Sequence, residues 1–304
     1  MEPEFKRFRS LPQFDPYLVQ RCREQGNAMP LMFEWYKHVA LVALDMASIS
    51  INQPGHVNRY GVHLGILRGL LNRCARLMLS TVKLAHDRKC GETVALLARC
   101  ISESALKAQW LARRGDPESF LRFVGDAVRT DLKLRDLINA NVAERGGPPW
   151  VIEERMLRSV ERVMVKAGVS EADAVAAKQL PSLYDICRDL GYHDTLYVSV
   201  QRIGSHAVHG TWSDLLFHYI DREPDGSFGL RDNVESVPHS NHLLGPALLL
   251  LDTLRAYIGF ILDNSPLAKS LESYFDEIQR GILEVDHLAR PDDFEPVPGK
   301  PPAM

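Results

Sequence analysis

The sequence predicts an all-α protein built as a helical bundle. Its long segments repeat apolar residues three and four positions apart, which is the spacing of one helix face. Runs in which apolar and polar residues alternate, as a half-buried strand requires, are nearly absent. The expected exception is a small β-hairpin or loop within residues 221–241, where turn residues are dense.

Three apolar helices are expected in the first part of the chain. They cover residues 32–51, 63–87 and 93–114, and each is followed by a turn that contains Gly. Residues 1–30 form an amino-terminal segment to which the periodicity assigns no helix.

Two polar amphipathic helices follow at residues 117–144 and 150–168, on either side of the linker ERGGPPW. We interpret them as a helical arm, near residues 117–180, inserted in a single helical domain of residues 31–290.

The remaining segments are shorter or more apolar. A short helix ends at Gly191, which is expected to adopt a left-handed conformation, and a second helix, here called the motif helix, ends at Gly210. The later elements are a core helix at residues 243–262, a charged helix at 267–288 and a Pro-rich, disordered tail at 291–304.

Composition limits the classes of function. The chain has 36 basic and 39 acidic residues, a net charge of -3, which argues against a broad nucleic-acid surface but not against a local basic pocket. Five cysteines lie far apart without a C-x-x-C pair, and the amino terminus is charged where a secretion signal is apolar. We therefore expect a cytoplasmic protein.

One segment, residues 242–262, is long enough to span a membrane. Asp252 and Arg255 lie near its centre, where charges in lipid are costly. A buried core helix is the preferred interpretation, and no membrane partner is expected.

The stretch QRIGSHAVHGTW, residues 201–212, gathers polar groups suited to an anion. On a regular α-helix Ser205, His206 and His209 lie within about 60° of Arg202, on one stripe. A solvated helix face is the alternative, but such faces are usually rich in Glu and Lys. The opposite side is apolar and is expected to pack on the bundle: Tyr197, Val200, Ile203, Ala207 and Val208.

An Arg, six residues and a His on a late helix of an all-α domain resemble the active-site signature of the HEPN superfamily. Its members are helical bundles and often metal-independent endoribonucleases, including those of defence or toxin-type stress responses. The runs YVSVQRIGSHAVHG and ARCISESALKAQWLARRGDPE also resemble an uncharacterised bacterial family of unknown function. The resemblance covers residues 93–212.

The HEPN resemblance implies roles for four residues. His209 matches the catalytic histidine, since an imidazole can remove the proton of a ribose 2′-hydroxyl or protonate the leaving oxygen. Arg202 matches the arginine that holds the phosphate. Ser205 can bind the phosphate or the imidazole, and His206 can serve as a second proton-transfer group. Sites of this kind usually form between protomers, which implies a homodimer.

Arg99 and Glu103 lie one helical turn apart and can form an ion pair. If their face meets the motif helix, Glu103 can orient His209 or neutralise Arg202; otherwise they are a surface pair. One departure concerns Ile203, because HEPN ribonucleases often have a polar residue directly after the arginine.

Other chemistry is less well supported. The pairs HAVH and HSNH have a spacing that can bind a metal, and Asp214 lies one turn before His218, but no carboxylate pattern completes either pair. Ser205 lacks an oxyanion hole for nucleophilic catalysis. Trp212 and Tyr219 can stack on a base or serve as core or rim aromatics.

The sequence therefore predicts a HEPN-like ribonuclease that needs no cofactor and acts on RNA. One alternative is a non-catalytic helical module that binds a nucleotide, a phosphorylated ligand or a partner protein. A metal-dependent hydrolase is the third.

Overall fold

The computed structural model describes residues 9–48, 61–85, 90–231, 238–262 and 265–289, with the backbone alone at residues 201–203, 205, 207, 217 and 289. The described chain is an all-α bundle with one two-stranded hairpin, which confirms the predicted fold class.

The helices are α1 (Pro16–Glu24), α2 (Met29–Ser48), α3 (Val62–Ala85), α4 (Gly91–Arg114), α5 (Pro117–Arg145), α6 (Val151–Ala167), α7 (Glu171–Ala176), α8 (Leu183–Asp189), α9 (Asp194–Tyr197), α10 (Gly204–His209), α11 (Trp212–His218), α12 (Asn241–Leu262) and α13 (Pro266–Ala289). A π-helical segment, Val198–Ile203, joins α9 to α10. The strands β1 (Ile220–Arg222) and β2 (Phe228–Leu230) form an antiparallel hairpin, with Ile220 opposite Leu230.

Four long helices build the centre of the bundle. The apolar helix α12 packs against α4 and α2, and α3 packs against α2 and α4. Trp110, Tyr36 and Tyr257 are among the largest fully buried side chains of this core. A helix that is apolar on most of its surface is stable in water only where neighbours cover it, as they do here.

In the described chain, α12 is also the one helix long and apolar enough to cross a membrane, with 56% of its most apolar window buried. Asp252, near its middle, accepts hydrogen bonds from the Tyr192 hydroxyl and from Arg255, both at 3.0 Å. The structure therefore places this helix in the core, with its internal carboxylate paired.

The amino-terminal segment contains a helix that periodicity did not predict. Asp15 accepts a hydrogen bond from the Tyr17 amide at 2.9 Å, and Pro16 is the first residue of α1. These two residues are the sequence features that indicate the start of the helix. Upstream, the Arg9 carbonyl accepts from the Tyr274 hydroxyl, which lies 2.8 Å from His38 Nε2. These contacts join the segment to α2 and α13.

The helices α5, α6 and α7 pack on one another around a small separate cluster formed by Val128, Leu132 and Ala174. Both α5 and α6 end at left-handed glycines, Gly146 with φ of 70° and Gly168 with φ of 69°. Their bounds agree closely with the predicted helices. That this region is an insertion stays a prediction.

Other differences are local. Helix α2 begins three residues before the predicted start, and residues 49–51 of that prediction lie outside the described residues. The short helices α7 and α11 were not predicted, because six or seven residues are too few to show a period. The expected disordered tail, residues 291–304, also lies outside the described residues.

Candidate functional site

The motif helix is not the regular α-helix that the sequence predicts. It consists of α9, the π-helical segment and α10, and it ends as expected at Gly210, whose φ is 56°. The stripe was calculated with one uniform α-helical period, which the π-helical segment does not keep, so the angle between Arg202 and His209 around the helix stays a prediction. Short π-helical stretches inside helices are frequent at functional sites.

The first residue of α10 lies directly against α4. A Cβ atom added to Gly204 would lie 3.3 Å from the Cβ and Cδ of Arg99, so only glycine allows this approach without displacing the arginine stem. The Arg99 guanidinium donates to Glu103 Oε1 at 2.9 Å, and 14% and 29% of the two side chains are exposed. The face that carries this ion pair thus meets the motif helix.

His206 is half-buried and bonded to the next helix. Its Nδ1 lies 2.6 Å from the Oγ1 of Thr211, the residue that precedes α11. Because one ring nitrogen is engaged, the bond fixes the orientation of the imidazole and leaves Nε2 to interact with a ligand.

His209, the last residue of α10, is exposed. Its neighbour Val208, which was predicted to pack on the bundle, is 45% exposed, so that prediction was wrong. Tyr197 and Val200, by contrast, do pack on the core as predicted.

Two predicted site residues are described by their backbone alone. Arg202 lies in the π-helical segment and Ser205 in α10. Their side chains lie outside the described part of the chain, as do those of Ile203 and Ala207, so their predicted roles stay predictions.

Aromatic side chains are exposed next to the motif helix. Trp212 is 56% exposed and Tyr219 45%, which excludes a core position for either. The Trp212 ring contacts Phe228 of β2 edge to face, with centroids 5.3 Å apart, and Phe228 is itself 47% exposed. Partial burial, followed by the negative charges of Glu92 and Asp214, raises the pKa of Tyr219.

The second histidine pair lies at the start of α12. The rings of His239 and His242 are 6.0 Å apart, and burial, followed by the charges of His239 and His218, lowers the pKa of His242 to about 4. Asp214 is buried. Within the described ranges, no group of three or more His, Cys, Asp or Glu residues is placed to hold a metal ion.

Three residues of this region were missed from the sequence. Gly204 and Thr211 both lie within QRIGSHAVHGTW. The available signal for Gly204 was its small size, which lets it face α4, and the signal for Thr211 was its cap position before α11. Phe228 is 16 positions beyond Trp212 and joins it only because the chain turns back through the hairpin.

Comparison with known proteins places these elements in one family. No curated protein and no solved structure matches the chain. A family model matches residues 64–228, more than half of the chain, and this range contains α4, the arm, the motif helix and the first strand of the hairpin. The chain therefore belongs to DUF5677, a family of unknown function.

Proposed function

We propose that this protein is a metal-independent endoribonuclease whose proton-transfer groups lie on α10. The observation that carries the proposal is the pairing of two histidines on one short helix: His206 is held through Nδ1, and His209 is exposed. Residues three positions apart on a helix have Cβ atoms roughly 5–6 Å apart. At this separation, one imidazole can remove the proton of the attacking hydroxyl while the other protonates the leaving oxygen at the same phosphate.

The reaction needs only the RNA itself. One histidine removes the proton of the 2′-hydroxyl, and the 2′-oxygen attacks phosphorus to form a new P–O bond. The P–O5′ bond breaks, and the second histidine protonates the departing oxygen. The products are a 2′,3′-cyclic phosphate and a 5′-hydroxyl, so atoms and protons balance without water, metal or cofactor. Each proton-transfer group of this kind contributes about 10²–10⁴-fold in rate.

The charge on the phosphate is assigned to Arg202, with Ser205 beside it. This assignment rests on the resemblance of the R-x6-H pattern to HEPN ribonucleases, in which the arginine binds the phosphate. The partly buried pair Arg99–Glu103 lies beneath Gly204, two residues after Arg202, and supports the motif helix from below.

The exposed aromatics favour single-stranded RNA. Trp212 and Phe228 are two and 18 positions after Gly210 but form one edge-to-face pair beside the end of α10. Unpaired bases stack on such rings, and each stacked base contributes roughly 1–3 kcal/mol to binding. Bases within a duplex do not offer a free face.

A decisive experiment incubates the purified protein with mixed single-stranded RNA in EDTA. We expect cleavage by the wild type, and a loss of at least about 100-fold in Arg202→Ala. Arg158→Ala is the matched control, since this arginine is exposed on the arm. An intact RNA pool, equal cleavage by all three proteins, or activity that returns only with added metal would overturn the proposal.

A binding module is the second candidate, favoured by Ile203, which stands where HEPN ribonucleases often have a polar residue. In that case RNA stays intact, and a nucleotide raises the melting temperature of the wild type but not of Arg202→Ala.

We extend the proposal to a homodimer that forms across the motif helix. Exposed apolar side chains lie on α10, α11 and β2: Val208, Leu215 and Leu230, the last 88% exposed. A second copy covering them removes this apolar area from water. Light scattering should give a dimer for the wild type and a monomer for Leu230→Asp; a monomeric wild type contradicts the extension.

The proposed compartment is the cytoplasm. All five cysteines carry free thiols, which a reducing compartment maintains.

A further inference from the structure

Thr211 does not cap its helix, whereas serines at the equivalent position of other helices in this chain do. It occupies the N-cap position of α11 with extended backbone angles, φ of -72° and ψ of 167°, yet its side chain makes no capping hydrogen bond. Ser170 and Ser182, at the N-caps of α7 and α8, accept hydrogen bonds from the amides of Asp173 and Asp185. A hydroxyl at this position ordinarily caps the helix.

The Thr211 hydroxyl is hydrogen-bonded to His206 instead. Its Oγ1 lies 2.6 Å from His206 Nδ1, across the turn at Gly210. The backbone on either side of this turn is also linked, because the Thr211 amide donates to the His206 carbonyl at 3.4 Å. The left-handed Gly210, with φ of 56°, folds the chain so that the two side chains meet.

We propose that Thr211 is a positioning residue that sets the ring orientation of His206 and shifts the ratio of its two tautomers. With Nδ1 engaged by the hydroxyl, Nε2 is the nitrogen that meets the substrate. The catalytic consequence rests on the proposed ribonuclease function, whereas the effect on the ring itself does not.

The test compares Thr211→Val, which keeps the shape of the side chain, with Thr211→Ser, which keeps the hydroxyl. Long-range ¹H–¹⁵N spectra of the full chain report the two ring nitrogens of each histidine. The ratio of the His206 tautomers should change about two- to tenfold in Thr211→Val, the effect of one hydrogen bond, and return in Thr211→Ser. Ser182→Ala removes an ordinary cap and should leave His206 unchanged.

Kinetics give the second readout. In Thr211→Val we expect kcat for RNA cleavage to fall on the order of 10-fold with KM unchanged, and to recover in Thr211→Ser. An unchanged His206 tautomer ratio in Thr211→Val overturns the positioning role, whatever the activity. A wild type that leaves RNA intact overturns the ribonuclease proposal, while the spectra still decide the role of Thr211.

Discussion

The tip of the arm and the end of the motif helix both combine polar side chains with an exposed tryptophan. At the arm tip, Arg145 forms two hydrogen bonds with Glu153, at 3.1 and 2.6 Å, and lies 3.9 Å over the Trp150 ring. Glu153 also accepts from the Trp150 amide at 2.7 Å. These polar groups satisfy one another, as they do in a structural cluster.

At the end of the motif helix, His209 is exposed to solvent, and His206 is half-buried and bonded to Thr211 through Nδ1. Trp212 is 56% exposed and Trp150 60%, so exposure alone does not distinguish the two regions. The distinction is that the charges of Arg145 and Glu153 at the arm tip are already paired, and a paired charge has little left to offer a ligand.

The largest expected effect is at His209. Replacing it with alanine should lower RNA cleavage at least about 100-fold, because a proton-transfer group is lost. Stability should change by less than about 0.5 kcal/mol, since the side chain is exposed. His287→Ala, which removes an exposed histidine at the end of α13, is the matched control. Rates at saturating RNA measure cleavage, and thermal melts measure stability. Equal activity of the two variants would contradict the role assigned to His209.

Next comes a comparison of the two tryptophans. Trp212→Ala should weaken binding of single-stranded RNA about tenfold through the loss of one stacked base. Trp150→Ala should leave affinity unchanged, since Arg145 already covers that ring. Fluorescence anisotropy with a labelled oligonucleotide measures both; equal losses at the two positions contradict a base-stacking role specific to Trp212.

The two Arg–Glu pairs allow a further comparison. Glu103→Gln should lower RNA cleavage a few-fold, because the Arg99 stem supports Gly204 and its guanidinium loses a charged partner. Glu153→Gln, at the arm tip, should leave cleavage unaltered. If the arm variant has the larger effect on kcat, the arm and not α4 supports the site.

The smallest effect concerns acid stability. Hydrogen bonds from Arg145, and then from the Trp150 amide, hold the pKa of Glu153 below its ordinary value. A carboxyl whose folded pKa is depressed contributes stability above its unfolded pKa and loses it as pH falls through the folded pKa. Wild type should therefore lose more stability than Glu153→Gln as the solution is acidified below about pH 4. Melting temperatures from pH 7 to 3 test this, and parallel curves contradict it.

Much of the fold follows from local signals in the sequence. In the bundle and the arm, the residues that begin and end helices can be recognised in the sequence. Gly191 adopts the expected left-handed conformation, as do Gly115 and Gly210 at the ends of their helices. The π-helical segment was not predictable, because periodicity analysis assumes one uniform turn.

The sequence predicts the residue types of the site but not the contacts between them. The polar side chains of QRIGSHAVHGTW mark the motif helix. The bond between His206 and Thr211 depends on the backbone turn at Gly210, and the contact of Gly204 with Arg99 depends on the packing of α10 against α4. Sequence spacing does not specify such contacts between elements.

The most direct test of the central claim is the chemistry of the RNA ends after cleavage in EDTA. Attack by the 2′-oxygen predicts fragments with a 2′,3′-cyclic phosphate and a 5′-hydroxyl, and no cleavage where the scissile nucleotide is 2′-deoxy. Fragments with a 3′-hydroxyl and a 5′-phosphate would contradict the account, since they require water as the nucleophile.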